Sequence, residues 1–245
     1  MAWGLEEAFA EAWPALHAQR SGDWTIKLAG GVSRRSNSAN PNGPRVALTD
    51  AVVDDAQAAY RRAGQPAYIR IPSFLDDQAE RLLATRGYEA EGHSLTLTAA
   101  SLPAVLSSAG VELTPAPSDE WLQASNAISG RGPVASAAFR AILARLTAPC
   151  AFAAVRREDR IVSLAYAAMH GGWLCVEAVA TDAAWRGRGL AGQAVEALMA
   201  WGAARGALAA GLQVQADNVA AQALYRRLGF ARELYRYHYR RGPVD

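Results

Sequence analysis

The chain has 245 residues, 51% of them apolar and 20% charged, with a net charge of +2. That length suits one large domain or two small ones, and the composition is that of a soluble globular protein. So small a basic excess argues against a nucleic-acid binder, and no uncharged apolar run reaches the roughly 18 residues of a membrane span. Cys150 and Cys175 each sit in an apolar run, which suits free buried thiols better than a disulfide or a metal site. Lysine occurs once, at Lys27, against many arginines, and with abundant alanine this reads as coding bias before phosphate recognition. Residues 1–7 lack the basic start and apolar core of a secretion signal, so a cytoplasmic protein is expected.

In chain order, Leu5, Ala8, Phe9, Ala12 and Leu16 recur at helical spacing and predict an amphipathic helix over 5–19, kinked or stopped by Pro14. Residues 23–29 suit a strand, and Gly30-Gly31 a turn. Residues 32–41 are polar, either a solvated loop or a strand that turns Arg35 and Asn37 together toward a polar pocket. A helix over 50–63 and a strand over 67–71 follow. Then Asp76, Leu83, Gly87 and Tyr88 stand at the spacing of Asn218, Tyr225, Gly229 and Phe230. Each set follows a short strand and precedes another, so the first half reads either as a degenerate copy of the second or as a chance likeness.

Residues 99–110 form a connector, with Ser101-Leu102-Pro103 able to cap a short helix. The second half opens with a strand at 111–114 and helices over 119–128 and 134–146, parted by Gly130-Arg131-Gly132-Pro133. Strands over 151–156 and 161–169 pair through a hairpin turn, and a third runs over 173–181. Strands alternating with helices in this way imply an α/β chain, a mixed sheet with flanking helices.

The chemistry gathers after that third strand. Asp182 to Trp185 make a turn, and Arg186-Gly187-Arg188-Gly189-Leu190-Ala191 leads into a long helix. Glycines admit close backbone approach, and free amides at a helix mouth bind phosphate. Walker A is excluded for want of its lysine. Gly187, Gly189 and Gly192 match the dinucleotide spacing, but the next strand, 212–215, ends in Gln rather than in the acid that motif wants.

Arg186, Gly189 and Ala191, as Arg-x-x-Gly-x-Ala, with Asn218-x6-Tyr225-x3-Gly229-Phe230 downstream, resemble the two cofactor motifs of the GNAT acetyltransferases. The resemblance implies a GNAT acyl-CoA N-acyltransferase fold in two tandem lobes: a degenerate lobe over 1–100, a connector over 101–110 and a catalytic domain over 111–245. Residues 33–41 also resemble an Arg-Arg-x-Asn-Ser element of two-lobed members. The phosphate loop has no counterpart in the first half, so one coenzyme A is expected, in the second half, with the first half shaping the acceptor site through Arg35 and Asn37.

The resemblance further implies acetyl-CoA as co-substrate, no metal, and a small-molecule or peptide amine as acceptor. Val179, Ala180 and Thr181 would hold the pantetheine and thioester from a splayed strand end, and Arg186 to Ala191 the pyrophosphate. Tyr225 would protonate the departing thiolate or else only pack, and an alkaline limb of the pH profile would report that acid. Asn218 would bond the cofactor, cap its helix, or both. Glu177 would be the base through water or else the ion-pair partner of Arg186 or another arginine, and His170 is a second candidate base. The resemblance departs from the pattern at Thr181 and Ala183, neither of which removes a donor. An active N-acetyltransferase, attacking directly in a ternary complex, and a non-catalytic coenzyme A sensor both fit; a dinucleotide oxidoreductase fits less well.

Overall fold

A computed structural model describes residues 2–31, 33–103 and 110–243. The expected connector falls largely on 104–109, outside the described residues. By contacts the chain divides into a larger unit, Met1–Pro14, Leu97–Val214 and Asn218–Leu234, and a smaller one, Ala15–Thr96, Gln215–Asp217 and Tyr235–Asp245. The sequence suggests sequential halves; the units instead interleave. The first helix, α1 (Ala2–Ala12), belongs to the larger unit because Leu5, Ala8, Phe9 and Ala12 pack with Ala168 and Cys175 of its strands. The end of the last strand, β11 (Arg232–Arg241), belongs to the smaller one because it pairs there.

The larger unit is a mixed sheet in the order β10-β9-β8-β7-β6. β6 (Val111–Thr114), β7 (Cys150–Arg157), β8 (Arg160–His170) and β9 (Trp173–Thr181) are successively antiparallel. β10 (Ala209–Gln215) joins β9 in parallel. Helix α6 (Leu190–Ala203) lies on one face, over β7, β8 and β9. α1 and α4 (Asp119–Ile128) lie on the other, where the Tyr166 hydroxyl donates to the Ala12 carbonyl and the Trp121 indole to that of Ala153. Gly211 lets α1 sit close, since a Cβ there would stand 2.7 Å from Leu5 Cδ1. α5 (Pro133–Leu143) follows α4, and α7 (Val219–Arg227) follows β10. Neither cysteine forms a disulfide among the described residues; Cys175 is buried and Cys150 half-buried.

In the smaller unit β1 (His17–Ser21) and β2 (Trp24–Leu28) form a hairpin. β3 (Ala39–Pro41) runs antiparallel to β2 and parallel to β4 (Tyr68–Pro72), and β11 pairs with the free edge of β4 from Tyr237↔Pro72 to Arg241↔Tyr68. Helix α2 (Asp50–Arg62) packs on β1, β2 and β4. Helix α3 (Asp77–Thr85) leads to β5 (Glu89–Ala99). Trp24, Ile26, Val53, Tyr60, Ile69 and Leu83 form the core.

Two expectations for this stretch change. The first helix ends at Ala12, and residues 17–21 form a strand, because Pro14 breaks the helix and the exposed edge strand carries no apolar period. Residues 34–36 form a 3₁₀ turn, not a strand.

The expected repeat is visible in the hydrogen bonds. α3 and α7 each have nine residues. Each is capped by the residue singled out: Asp76 accepts from Gln78 N at 2.9 Å and Asn218 from Ala221 N at 3.1 Å. Each ends with the aromatic amide bonded six-to-one, Tyr88 N to Leu83 O at 2.9 Å and Phe230 N to Tyr225 O at 3.0 Å, around a left-handed glycine, Gly87 or Gly229.

Candidate active site

The site lies in the larger unit, at the carboxyl ends of β9 and β10 and the start of α6. β9 pairs with β10 from Trp173↔Ala209 to Val176↔Leu212, and the ladder stops there. A bulge follows at once. On the β8 side Tyr166 faces Glu177 and Leu164 faces Ala180, so Ala178 and Val179 together oppose Ala165. Ala178 has φ 51°, the left-handed region that costs a side-chain-bearing residue roughly 1–2 kcal/mol. A bulge of this kind bends its strand and re-aims its side chains. Val179, Ala180 and Thr181 thus lie past the end of the parallel ladder.

Two side chains hold that strand end. Ser163, fully buried on β8, donates to the Ala180 carbonyl at 3.1 Å, and its hydroxyl lies 2.8 Å from that of Thr181. Arg186 Nε donates to the Thr181 carbonyl at 3.3 Å. Among the described residues Arg186 therefore serves the strand end and forms no ion pair with Glu177. Sequence reasoning missed Ser163; its one signal was a small hydroxyl in the otherwise apolar run 161–165.

The loop after β9 is shaped by its own backbone. Asp182 accepts from Ala184 N at 2.9 Å, starting a 3₁₀ turn over Ala183–Trp185. The Arg188 guanidinium covers the Trp185 ring at 4.6 Å. Gly187 and Gly189 have φ of 75° and 74°, and a Cβ on either would meet nothing within 4 Å. Gly189 is the N-cap residue of α6, and no side chain caps that helix. The first amides of α6 thus have neither an intrahelical partner nor a side-chain cap, the donor set that a pyrophosphate uses. Gly192 has another role: its Cβ position lies 3.4 Å from Leu224, so it seats α6 against α7.

Glu177 directly precedes the bulge, and its charge reaches Tyr225 of α7. Both are buried, at 4% and 7% exposure. Burial, and then the Glu177 charge, push the Tyr225 phenol up to about 12. Its ring packs edge-on against Phe230 at 6.1 Å. Asn218 is exposed and caps α7 through Oδ1, with Nδ2 unbonded among the described residues.

Other candidates stand apart. His170 is exposed and pairs with Trp173 at the other end of the β8–β9 hairpin, about 13 Å along the strands from Glu177. In the smaller unit, the buried Asn37 side chain bonds its own loop. Its Oδ1 accepts from Ala29 N and Gly31 N at 2.8 and 3.1 Å, and its Nδ2 donates to Ser33 O at 2.8 Å. It pins the 30–37 loop, and the expected shared strand face with Arg35 does not exist. Among the described residues no group of three or more His, Cys, Asp or Glu could hold a metal ion, and no helix is long and apolar enough to cross a membrane.

Residues 3–240 match the family described as "Probable histone acetyltransferase Rv0428c C-terminal". An uncharacterized N-acetyltransferase, YobR of Bacillus subtilis, is 24% identical over 243 residues, covering 96% of each chain. A GCN5-related N-acetyltransferase from Kribbella flavida shares the fold with a TM-score of 0.67 at 18% identity, over all of this chain and 95% of that one. A tandem GNAT protein from the clavulanic acid biosynthesis pathway does so with a TM-score of 0.64 at 11% identity, over all of this chain and 89% of that one.

Proposed function

Since this chain belongs to the Rv0428c C-terminal family, within the GNAT superfamily of N-acetyltransferases, we propose that it moves an acetyl group from acetyl-CoA to an amine, by direct attack in a ternary complex. The observation that carries the reading is the bulged end of β9, with the buried Glu177 at its start, running directly into the glycine turn at the mouth of α6.

Acetyl-CoA supplies the activated acyl group. Amides of residues 187–191, with Arg186 and Arg188 adding positive charge, would hold its pyrophosphate, and Asn218 Nδ2 is free to contribute. Val179, Ala180 and Thr181 would align the pantetheine and polarise the thioester carbonyl through fixed backbone donors. Ser163 and Arg186 hold that strand end by its Ala180 and Thr181 carbonyls. Glu177 would take the proton of the incoming ammonium through a water, because a buried carboxylate holds charge at a cost and is a ready acceptor. Tyr225, protonated at any working pH, would give its proton to the leaving sulfur.

The experiment is calorimetry with acetyl-CoA beside NAD and ATP, followed by an amine screen read as thiol release. Binding of acetyl-CoA alone and turnover with an amine is the expected result. Tight acetyl-CoA binding with no thiol release on any amine would instead favour a coenzyme A sensor, and NAD binding would overturn both.

A further inference from the structure

Arg131 lies between α4 and α5 in the larger unit and takes no part in the site described above. Its Nη1 donates to the Ser125 carbonyl and hydroxyl, both at 3.0 Å, and the guanidinium carbon lies over the Phe139 ring, 4.0 Å from its centroid. These contacts fix its plane. They leave Nε and Nη2, the edge that makes a side-on bidentate pair with a carboxylate, with no partner among the described residues.

The charge is also uncompensated. Arg131 is half-buried, and burial lowers its pKa. The two neighbouring arginines that reach α4 have acids: Arg156 binds Glu112 and Glu120, and Arg140 binds Asp119. Arg131 has no carboxylate within ion-pair distance among the described residues. A guanidinium held half out of water without a counter-ion costs stability, so a structural role alone, tying down the end of α4, gives no reason for the charge.

Its position ties it to the reaction. Phe139, which it covers, packs on Trp13 at 5.6 Å, and Trp13 stacks on Tyr166 at 6.2 Å. Tyr166 is also the residue directly across the strands from Glu177, so the two share one face of the sheet. Arg131 therefore stands on the face of the sheet from which Glu177 would meet the amine.

We propose that Arg131 is a specificity-determining residue that binds a carboxylate of the acceptor, so that the enzyme acts on amines carrying a carboxylate. The assignment rests on the acetyl-transfer reading above and narrows its acceptor.

The test compares acids with their amides on the full chain. Free L-α-amino acids, β-alanine and 4-aminobutyrate are assayed by thiol release beside the corresponding carboxamides and an uncharged primary-amine peptide. The wild-type protein should prefer the acid in a pair by about ten- to a hundredfold in kcat/KM, the size of a charge-assisted bidentate contact. Arg131→Gln should erase that preference by raising KM for the acid, leave the amide unchanged, and leave acetyl-CoA affinity by calorimetry unchanged; Arg131→Lys should restore part of it. Equal use of acid and amide by the wild type, turnover confined to acceptors without a carboxylate, or no turnover of any acid on the panel each overturns the proposal. The wild-type comparison does not depend on a variant folding. Failure of acetyl-CoA to bind at all would instead strike the acetyl-transfer reading.

Discussion

Gly189 carries the sharpest consequence at the level of single residues. Its φ of 74° and the empty space at its Cβ position make valine costly twice over. The left-handed backbone is strained by roughly 1–2 kcal/mol for a side-chain-bearing residue, and the branched side chain would fill the space at the mouth of α6. Gly189→Val should stay folded, with a slightly lower Tm, and lose acetyl-CoA binding in calorimetry; unchanged affinity would remove the loop from the site. Tyr225→Phe should lower kcat by about 10²–10⁴-fold with acetyl-CoA affinity kept, and a full-rate variant would leave Tyr225 as packing. The pH dependence follows from the sign of the shift. The acid works only while protonated, and burial holds it so up to about 12. The alkaline limb that the motif alone suggests therefore lies above ordinary assay range, and a wild-type rate that falls between pH 8 and 10 reports some other group. The loop glycines, Asn218 and Tyr225 were legible because each belongs to a contiguous motif. Ser163, Ala178 and Arg131 were not, since their roles come from cross-strand and cross-helix neighbours that no local spacing records. Asn37 was misread for a related reason: a side chain that bonds its own loop looks, in sequence, like one waiting for a ligand.

Among elements, the two nine-residue helices offer an internal control. Asp76 and Asn218 each cap their helix with a side-chain oxygen, on the second amide along in α3 and on the third in α7. Asp76→Ala and Asn218→Ala should each cost about 0.5–2 kcal/mol in denaturant melts, the usual worth of such a cap. Only Asn218→Ala should also weaken acetyl-CoA binding. An equal loss of affinity in both would mean that the first-half helix also meets the cofactor, and no loss in either would leave Asn218 as a cap alone. Most helices and strands were readable from the 3.6 and 2.0 periods and from their caps. The edge strand β1 was not, because four of its five residues are exposed and show no alternation. The bulge in β9 was not either, because the run 173–181 reads as an unbroken strand and the extra residue shows only against its partner.

For the molecule as a whole, the asymmetry of the repeat sets the stoichiometry. Both halves keep the capped helix and its six-to-one ending, but the glycine turn precedes a helix only in the second. Titration should give one acetyl-CoA per chain, and a value of two would place a second site in the smaller unit. Membership of the two units was the least legible property of all. β4 and β11 lie some 160 residues apart in the chain and become neighbours only in the sheet. That pairing has a consequence for synthesis. On the ribosome, nearly the whole smaller unit emerges early, yet the edge of β4 that carries Ile69 and Ile71 has no partner until residues 237–241 arrive last. An unpaired apolar edge invites association with other chains. A stalled or shortened chain ending at residue 234 should therefore aggregate, and a synthetic 235–243 peptide supplied in trans should return it to solution. Sedimentation of that fragment with and without the peptide reads this directly, and a soluble, folded fragment without the peptide would mean that β4 guards its own edge.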